Sequence, residues 1–178
     1  SEGSLKNDEI IIEAPAKLNL YLHVVGRRDD GYHELDSLVA FANICDTIHV
    51  RLASDLKLAA RGPFAERVIL DKNNLVLRAA RALKHIANVP AGAELTLTKN
   101  LPVAAGIGGG SADAAATIQA LIRLWDIHWE DHDFSALALS LGADVPVCLY
   151  GRAAFMGGIG DRVKPGPILP PTYLVIVN

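Results

Sequence analysis

Leu101-Pro-Val-Ala-Ala-Gly-Ile-Gly-Gly-Gly-Ser-Ala-Asp-Ala-Ala115 is the stretch on which the reading of this chain turns. Before it, Glu94–Lys99 alternates, with Leu95 and Leu97 on one side and Thr96 and Thr98 on the other, the period of a half-buried strand. After it an alanine-rich segment predicts a helix from Ser111 to about Trp125, with Ser111 at the N-cap. Gly106, Gly108, Gly109 and Gly110 therefore crowd a strand-to-helix junction. Without Cβ atoms the backbone can take positive φ and a bulky anion can approach closely. The following helix turns its free N–H groups and positive dipole end toward that anion, so the junction reads as a phosphate cradle.

Known phosphate-loop templates are excluded. A Walker A loop needs Lys after its last glycine, and Ser111-Ala112 stands there. The dinucleotide fingerprint and the protein-kinase loop both need glycine at 111 when counted from Gly106 and Gly108. Ser111 has a second reading, as a hydroxyl offered to phosphate or to Mg²⁺. Asp113 is expected in the first helical turn, where a carboxylate suits the dipole, and reads as structural.

Outward from the loop, the pattern is α+β. Glu9–Glu13, Lys17–Val25, Leu35–Phe41, Asp46–Leu52 and Leu56–Ala60 read as strands. In Lys17–Val25 the leucines alternate with Lys17, Asn19, Tyr21 and His23, which puts Lys17 and Asn19 on one face. Gly26–Gly31 is a polar turn. Leu75, Val76, Ala79, Ala80, Leu83, Ile86 and Ala87 recur at helical spacing behind an N-cap at Asn73 or Asn74. A further helix, Asp133–Leu141, ends at Gly142. Ala153–Met156 and Tyr173–Val177 read as strands, and Cys148 as an inert buried thiol in an apolar strand. The expected architecture is a mixed sheet with helices packed on one face. His128 and His132 read as surface residues.

Composition narrows the class. The chain has 178 residues, 51% hydrophobic and 21% charged, and 17 Lys+Arg against 20 Asp+Glu give a net charge of −3. Such a chain buries a core and is not globally disordered. The acidic balance, without a basic-aromatic cluster, speaks against nucleic-acid binding by phosphate neutralisation. Apolar runs are too short to span a bilayer, and no secretory signal opens the chain. Cys45 and Cys148 form no metal or disulfide pattern, which fits a reducing cytoplasm. Ser1–Asp8 is expected to be a frayed or extraneous terminus.

With Pro15-Ala-Lys-Leu-Asn19, Gly26-Arg-Arg-Asp-Asp-Gly-Tyr-His33 and Gly142-Ala-Asp-Val-Pro146, the glycine-rich loop makes the sequence resemble the GHMP kinases from Ile10 to Val177. Within them it resembles the branch that phosphorylates the 2-hydroxyl of a cytidine-diphosphate polyol in isoprenoid biosynthesis, with ATP and Mg²⁺. The resemblance implies the family's N-terminal domain, whose fold is similar to domain 2 of ribosomal protein S5, over residues 9–170. It also implies that residues 171–178 begin a further, incomplete domain that completes the substrate pocket, and so that these residues alone fall short of full activity. Matched position by position, Asp144 corresponds to the catalytic aspartate and Lys17 to its lysine partner. Pro102, Val103, Ala104, Ala105, Gly106, Ile107, Gly108, Gly109, Gly110 and Ser111 form the ATP loop, and Asn74 corresponds to an adenine contact. Asn19, Tyr32, His33 and Lys99 correspond to substrate-side residues, with Tyr32 and His33 gripping the cytosine. Ala112 stands where many members carry a second serine. The implied location is the bacterial cytoplasm or plastid stroma, and the implied partner is a small molecule.

The residue types suit that chemistry. Phosphoryl transfer needs positioning and charge stabilisation. Asp144 can accept the proton of an attacking hydroxyl, and Lys17 can stabilise charge on the transferred group. Two alternatives stand beside this reading. One is another GHMP small-molecule kinase, such as one acting on mevalonate or homoserine, whose substrate offers Tyr32-His33 no base. The other is a non-catalytic module of the same fold, on RNA for instance.

Overall fold

The computed structural model of the protein describes residues 8–103 and 109–177. Strands β1 (Glu9–Arg27) and β2 (His33–Ala53) form one long antiparallel hairpin. The other edge of β2 serves two strands: Thr47–Ala53 pairs with β4 (Gly92–Thr98), and Leu35–Val39 pairs with β5 (Ala154–Gly158). β3 (Leu56–Arg61) lies parallel to β4, and β6 (Arg162–Pro165) lies antiparallel to β5. The result is a six-stranded mixed sheet in the order β3-β4-β2-β5-β6, with β1 on β2. The helices are α1 (Leu75–Ile86), the crossover between parallel β3 and β4, then α2 (Gly109–Leu124), α3 (Phe134–Leu141) and α4 (Val145–Tyr150). The α+β mixed sheet expected from the sequence is the observed architecture.

Alternation builds the core. Ile48 and Val50 of β2 and Leu95 and Leu97 of β4 point inward to meet Ala79 and Leu83 of α1 and Ile118 and Leu121 of α2. Helix α2 is buried over the whole run Ala112–Ile118, because small alanines let it lie against sheet and helices on several sides at once. At α1 the Asn74 side chain caps the helix, accepting from the amides of Val76 (2.9 Å) and Leu77 (3.4 Å).

Several local expectations are corrected. The four strands read before Leu56 are two, because bulges carry pairing past the interruptions: Pro15 pairs Cys45 and Lys17 pairs Phe41, so Ala42–Ile44 face one residue of β1. Beyond Asn19 the apolar face of β1 is not half-buried; Leu20, Leu22 and Val24 are exposed where the hairpin runs past the helices. Helix α2 starts two residues earlier than expected, so Ser111 lies inside its first turn rather than at the N-cap, and Asp113 lies beyond that turn. Gly142 does occupy the C-cap of α3, but with φ of 161°, in extended form. Cys148 is buried as expected, yet on helix α4, which has Pro146 in its first turn and was not anticipated. Tyr173–Val177 is no strand; it is exposed and pairs with nothing among the described residues. No described helix is long and apolar enough to cross a membrane.

Candidate active site

The bulge after Pro15 turns the Lys17 side chain inward, and the turn between α3 and α4 delivers Asp144 to meet it. Lys17 Nζ lies 2.8 Å from Asp144 Oδ2, across 127 residues of sequence. The lysine side chain is 3% exposed and the aspartate 33%, so the pair is sealed on one side and open on the other. Asp144 sits at the N-terminus of α4 without capping it, which leaves its carboxylate to Lys17 and to whatever enters from the open side. Ser111 reaches the same region: a side chain built on Gly142 would begin 4.0 Å from the Ser111 hydroxyl.

A cavity of about 470 Å³ opens beside the start of α2. Asn74, Lys99, Pro102, Val103, Gly109, Gly110 and Ser111 line it, and so does Arg67, which sequence reasoning missed. Both ends of the Asn74 side chain are engaged, since its amide also donates to the Ile69 carbonyl at 3.0 Å. Its role within the described residues is that of a cap that forms the cavity wall. Ala104, Ala105, Gly106, Ile107 and Gly108 lie outside the described residues.

Beneath the cavity is a cluster with no counterpart in the sequence reading. Lys99 Nζ donates to Asp46 Oδ2 at 2.7 Å and to Asp113 Oδ2 at 2.9 Å. Asp46 Oδ1 accepts the amides of Asn100 (2.7 Å) and Leu101 (2.8 Å). All three side chains are at most 5% exposed. Burial and the neighbouring Asp46 push the Asp113 carboxyl well above the usual carboxylate range, against the opposing pull of Lys99. Burial works to lower Lys99, but the two carboxylates outweigh it and hold the amine charged beyond its ordinary range. Asp113 Oδ1 is buried without a hydrogen-bond partner among the described residues. The structural reading of Asp113 stands, but its partner is a lysine rather than the helix dipole. The signal was present as parity: Asp46 shares the inward face of Ile48 and Val50, and Lys99 that of Leu95 and Leu97.

The other expected residues are dispersed. Asn19 Oδ1 accepts from Ser37 Oγ at 3.1 Å, two residues along β1 from Lys17. Tyr32 and His33 are both exposed at the far end of the hairpin. His33 lies eight residues along β2 from Phe41, the partner of Lys17, which is roughly 26 Å of strand. The structure joins Lys17 to Asp144, sets Ser111 against Gly142 two residues before that aspartate, and leaves Tyr32 and His33 at a distance along the ladder. No group of three potential metal ligands occurs among the described residues. Cys148 is free, and burial foremost, with Asp144 adding to it, pushes its thiol up to about 12.

A mixed sheet carrying a glycine-rich segment at the head of a buried helix, with a lysine–aspartate pair beside it, has a counterpart among known proteins. Residues 74–152 match the family model of the GHMP kinases N terminal domain. It is 56% identical over 167 residues to the 4-diphosphocytidyl-2-C-methyl-D-erythritol kinase of Paramagnetospirillum magneticum, covering 94% of this chain and 58% of the relative. To the protein of the same name from Rhodospirillum rubrum it is 53% identical, covering 96% of this chain and 56% of that one. The crystal structure of a 4-(cytidine 5'-diphospho)-2C-methyl-D-erythritol kinase superposes with a TM-score of 0.72 at 41% identity, over 90% of this chain and 56% of the other. The chain thus spans a little over half the length of the relatives it matches.

Proposed function

We propose that the chain is the nucleotide-binding and catalytic part of an ATP-dependent kinase that phosphorylates the 2-hydroxyl of 4-diphosphocytidyl-2-C-methyl-D-erythritol. The observation that carries the reading is the Lys17–Asp144 pair, 2.8 Å apart with its aspartate side open, beside the serine at the head of α2. In this arrangement Asp144 takes the proton of the attacking hydroxyl. Lys17, fixed by burial, holds that carboxylate in place and offers positive charge to the phosphoryl group in transit. The first amides of α2 and the Ser111 hydroxyl hold the nucleotide's phosphates, and Asn74, Pro102 and Val103 wall its adenosine.

Magnesium enters with the nucleotide. The described residues build no acidic cage for it. Such an ion would keep several waters and bind mainly through substrate phosphates, and Ser111 would be the hydroxyl available to it. Asn19 borders the acceptor from β1, Lys99 closes the pocket floor, and Tyr32 with His33 take the cytosine from the hairpin end. We place the domain's end near residue 170, since ordered pairing stops at Pro165. The relatives' bacterial sources and the small-molecule chemistry favour a cytoplasmic enzyme.

The test is phosphoryl transfer from MgATP, with the cytidine diphosphate substrate and mevalonate compared side by side. We expect product only from the former; equal turnover of both would remove the substrate assignment. Running a chain of the relatives' full length in parallel measures how much of the activity these 178 residues retain.

A further inference from the structure

We propose that Asp46, Lys99 and Asp113 form a positioning clamp that sets the two ends of the glycine-rich segment, and with them the affinity for phosphate. The clamp rests on the nucleotide-binding reading above and adds to it the residues that hold Leu101 and the head of α2 in place.

A segment as rich in glycine as 101–110 carries few side chains to fix its own backbone, and ordering such a chain is entropically costly. Asp46 holds the entrance through the amides of Asn100 and Leu101. Lys99 then bridges from Asp46 to Asp113, one helical turn past Gly109, and so holds the exit. The fit at the exit is close: a Cβ on Gly109 would stand 2.9 Å from Lys99 Nζ. One buried charge group thus ties together β2, the end of β4 and the head of α2. Donors held in their bound arrangement before the ligand arrives bind it more tightly than donors that must be ordered.

The protonation of the cluster follows from its count of charges. Two carboxylates face one ammonium, and the described charged or titratable groups near them include Arg67 on the cavity wall, Cys148 on α4 and, beside Asp46 on β2, Cys45. None of these supplies a second cation bonded to the cluster. Burial foremost, with Asp46, raises the Asp113 carboxyl well above its ordinary range, which favours its protonated form and brings the cluster toward neutrality. An asparagine at 113 reproduces the protonated acid: its oxygen can accept from Lys99, and its amide can donate where the acid proton lies.

The experiment measures binding of MgATP, adenosine and magnesium tripolyphosphate by calorimetry, with thermal unfolding as the control for folding. Asp113→Ala is expected to weaken MgATP and tripolyphosphate about tenfold while adenosine stays within about twofold. Asp113→Asn is expected to restore wild-type phosphate affinity. Should the alanine variant not fold, Asp46→Asn reads the same loss from the entrance side. Absence of MgATP binding by the wild-type chain would overturn the nucleotide reading and the clamp together. If the wild type binds and Asp113→Ala binds equally well, only the clamp falls. An equal loss for adenosine and tripolyphosphate would instead make Asp113 a base contact and overturn the clamp.

Discussion

Two lysine–carboxylate groups stand close to the head of α2, and they differ mainly in access. Lys99 is enclosed with Asp46 and Asp113, none of the three more than 5% exposed. Lys17 is equally enclosed, but its partner Asp144 is 33% exposed. A charge group this enclosed is tied up in its own ion pairs, and what it presents to the cavity is a floor rather than a free carboxylate. A half-open one can hold itself and still offer a carboxylate to a reacting hydroxyl. In the function proposed above, the same two residue types serve as framework in one place and as chemistry in the other, with burial deciding which.

The largest effect expected from breaking this contrast is at the open pair. Asp144→Asn should lower turnover by about 10²–10⁴-fold while leaving MgATP affinity nearly unchanged, because a general base acts in the chemical step. Wild-type turnover in that variant would take Asp144 out of the mechanism. Next come the lysines. Lys99→Met strands the buried Asp46 carboxylate beside Asp113 and should cost about 3–5 kcal/mol in denaturant unfolding, whereas Lys17→Met leaves one partly hydrated carboxylate and should cost about 1 kcal/mol. Equal losses would show that exposure does not separate the two groups. The smallest effect is in pH dependence. Asp113 has a folded-state pKa raised above its unfolded value, so the unfolded chain releases that proton first as pH rises. Stability tied to this group is full below about pH 4 and declines toward the raised folded pKa. Asp113→Asn lacks the proton, so its stability relative to wild type should grow from pH 4 to pH 8 in thermal scans. A constant difference across that window would mean that Asp113 is ionised in the fold.

Legibility in the sequence followed the range of the signal. Helix α1, with Asn74 as cap, and strand β4 were readable because periodicity and capping are local. The junction between glycines and α2 was readable for the same reason, apart from its starting residue. Helix α4 was hidden because its six residues, Pro146 among them, carry too little periodicity to distinguish helix from strand. The continuity of β1 was hidden by Pro15, which an edge strand with a bulge tolerates. Lys17 and Asp144 were picked out by resemblance to a family, and their spacing alone gives no reason to pair them. The clamp went unread although each of its charges sits at an inward position, since parity shows that a charge is buried and not what it meets. Tyr173–Val177 shows the reverse failure: an apolar, strand-forming composition forms no ladder without a neighbouring strand.

The span of 127 residues between Lys17 and Asp144 also orders events during synthesis. Asp46, Lys99, Asp113 and the head of α2 have all been translated about thirty residues before Asp144 appears. A nascent chain therefore holds every described residue that lines the cavity before it holds Asp144, so Lys17 waits for its carboxylate until the turn after α3 has been made.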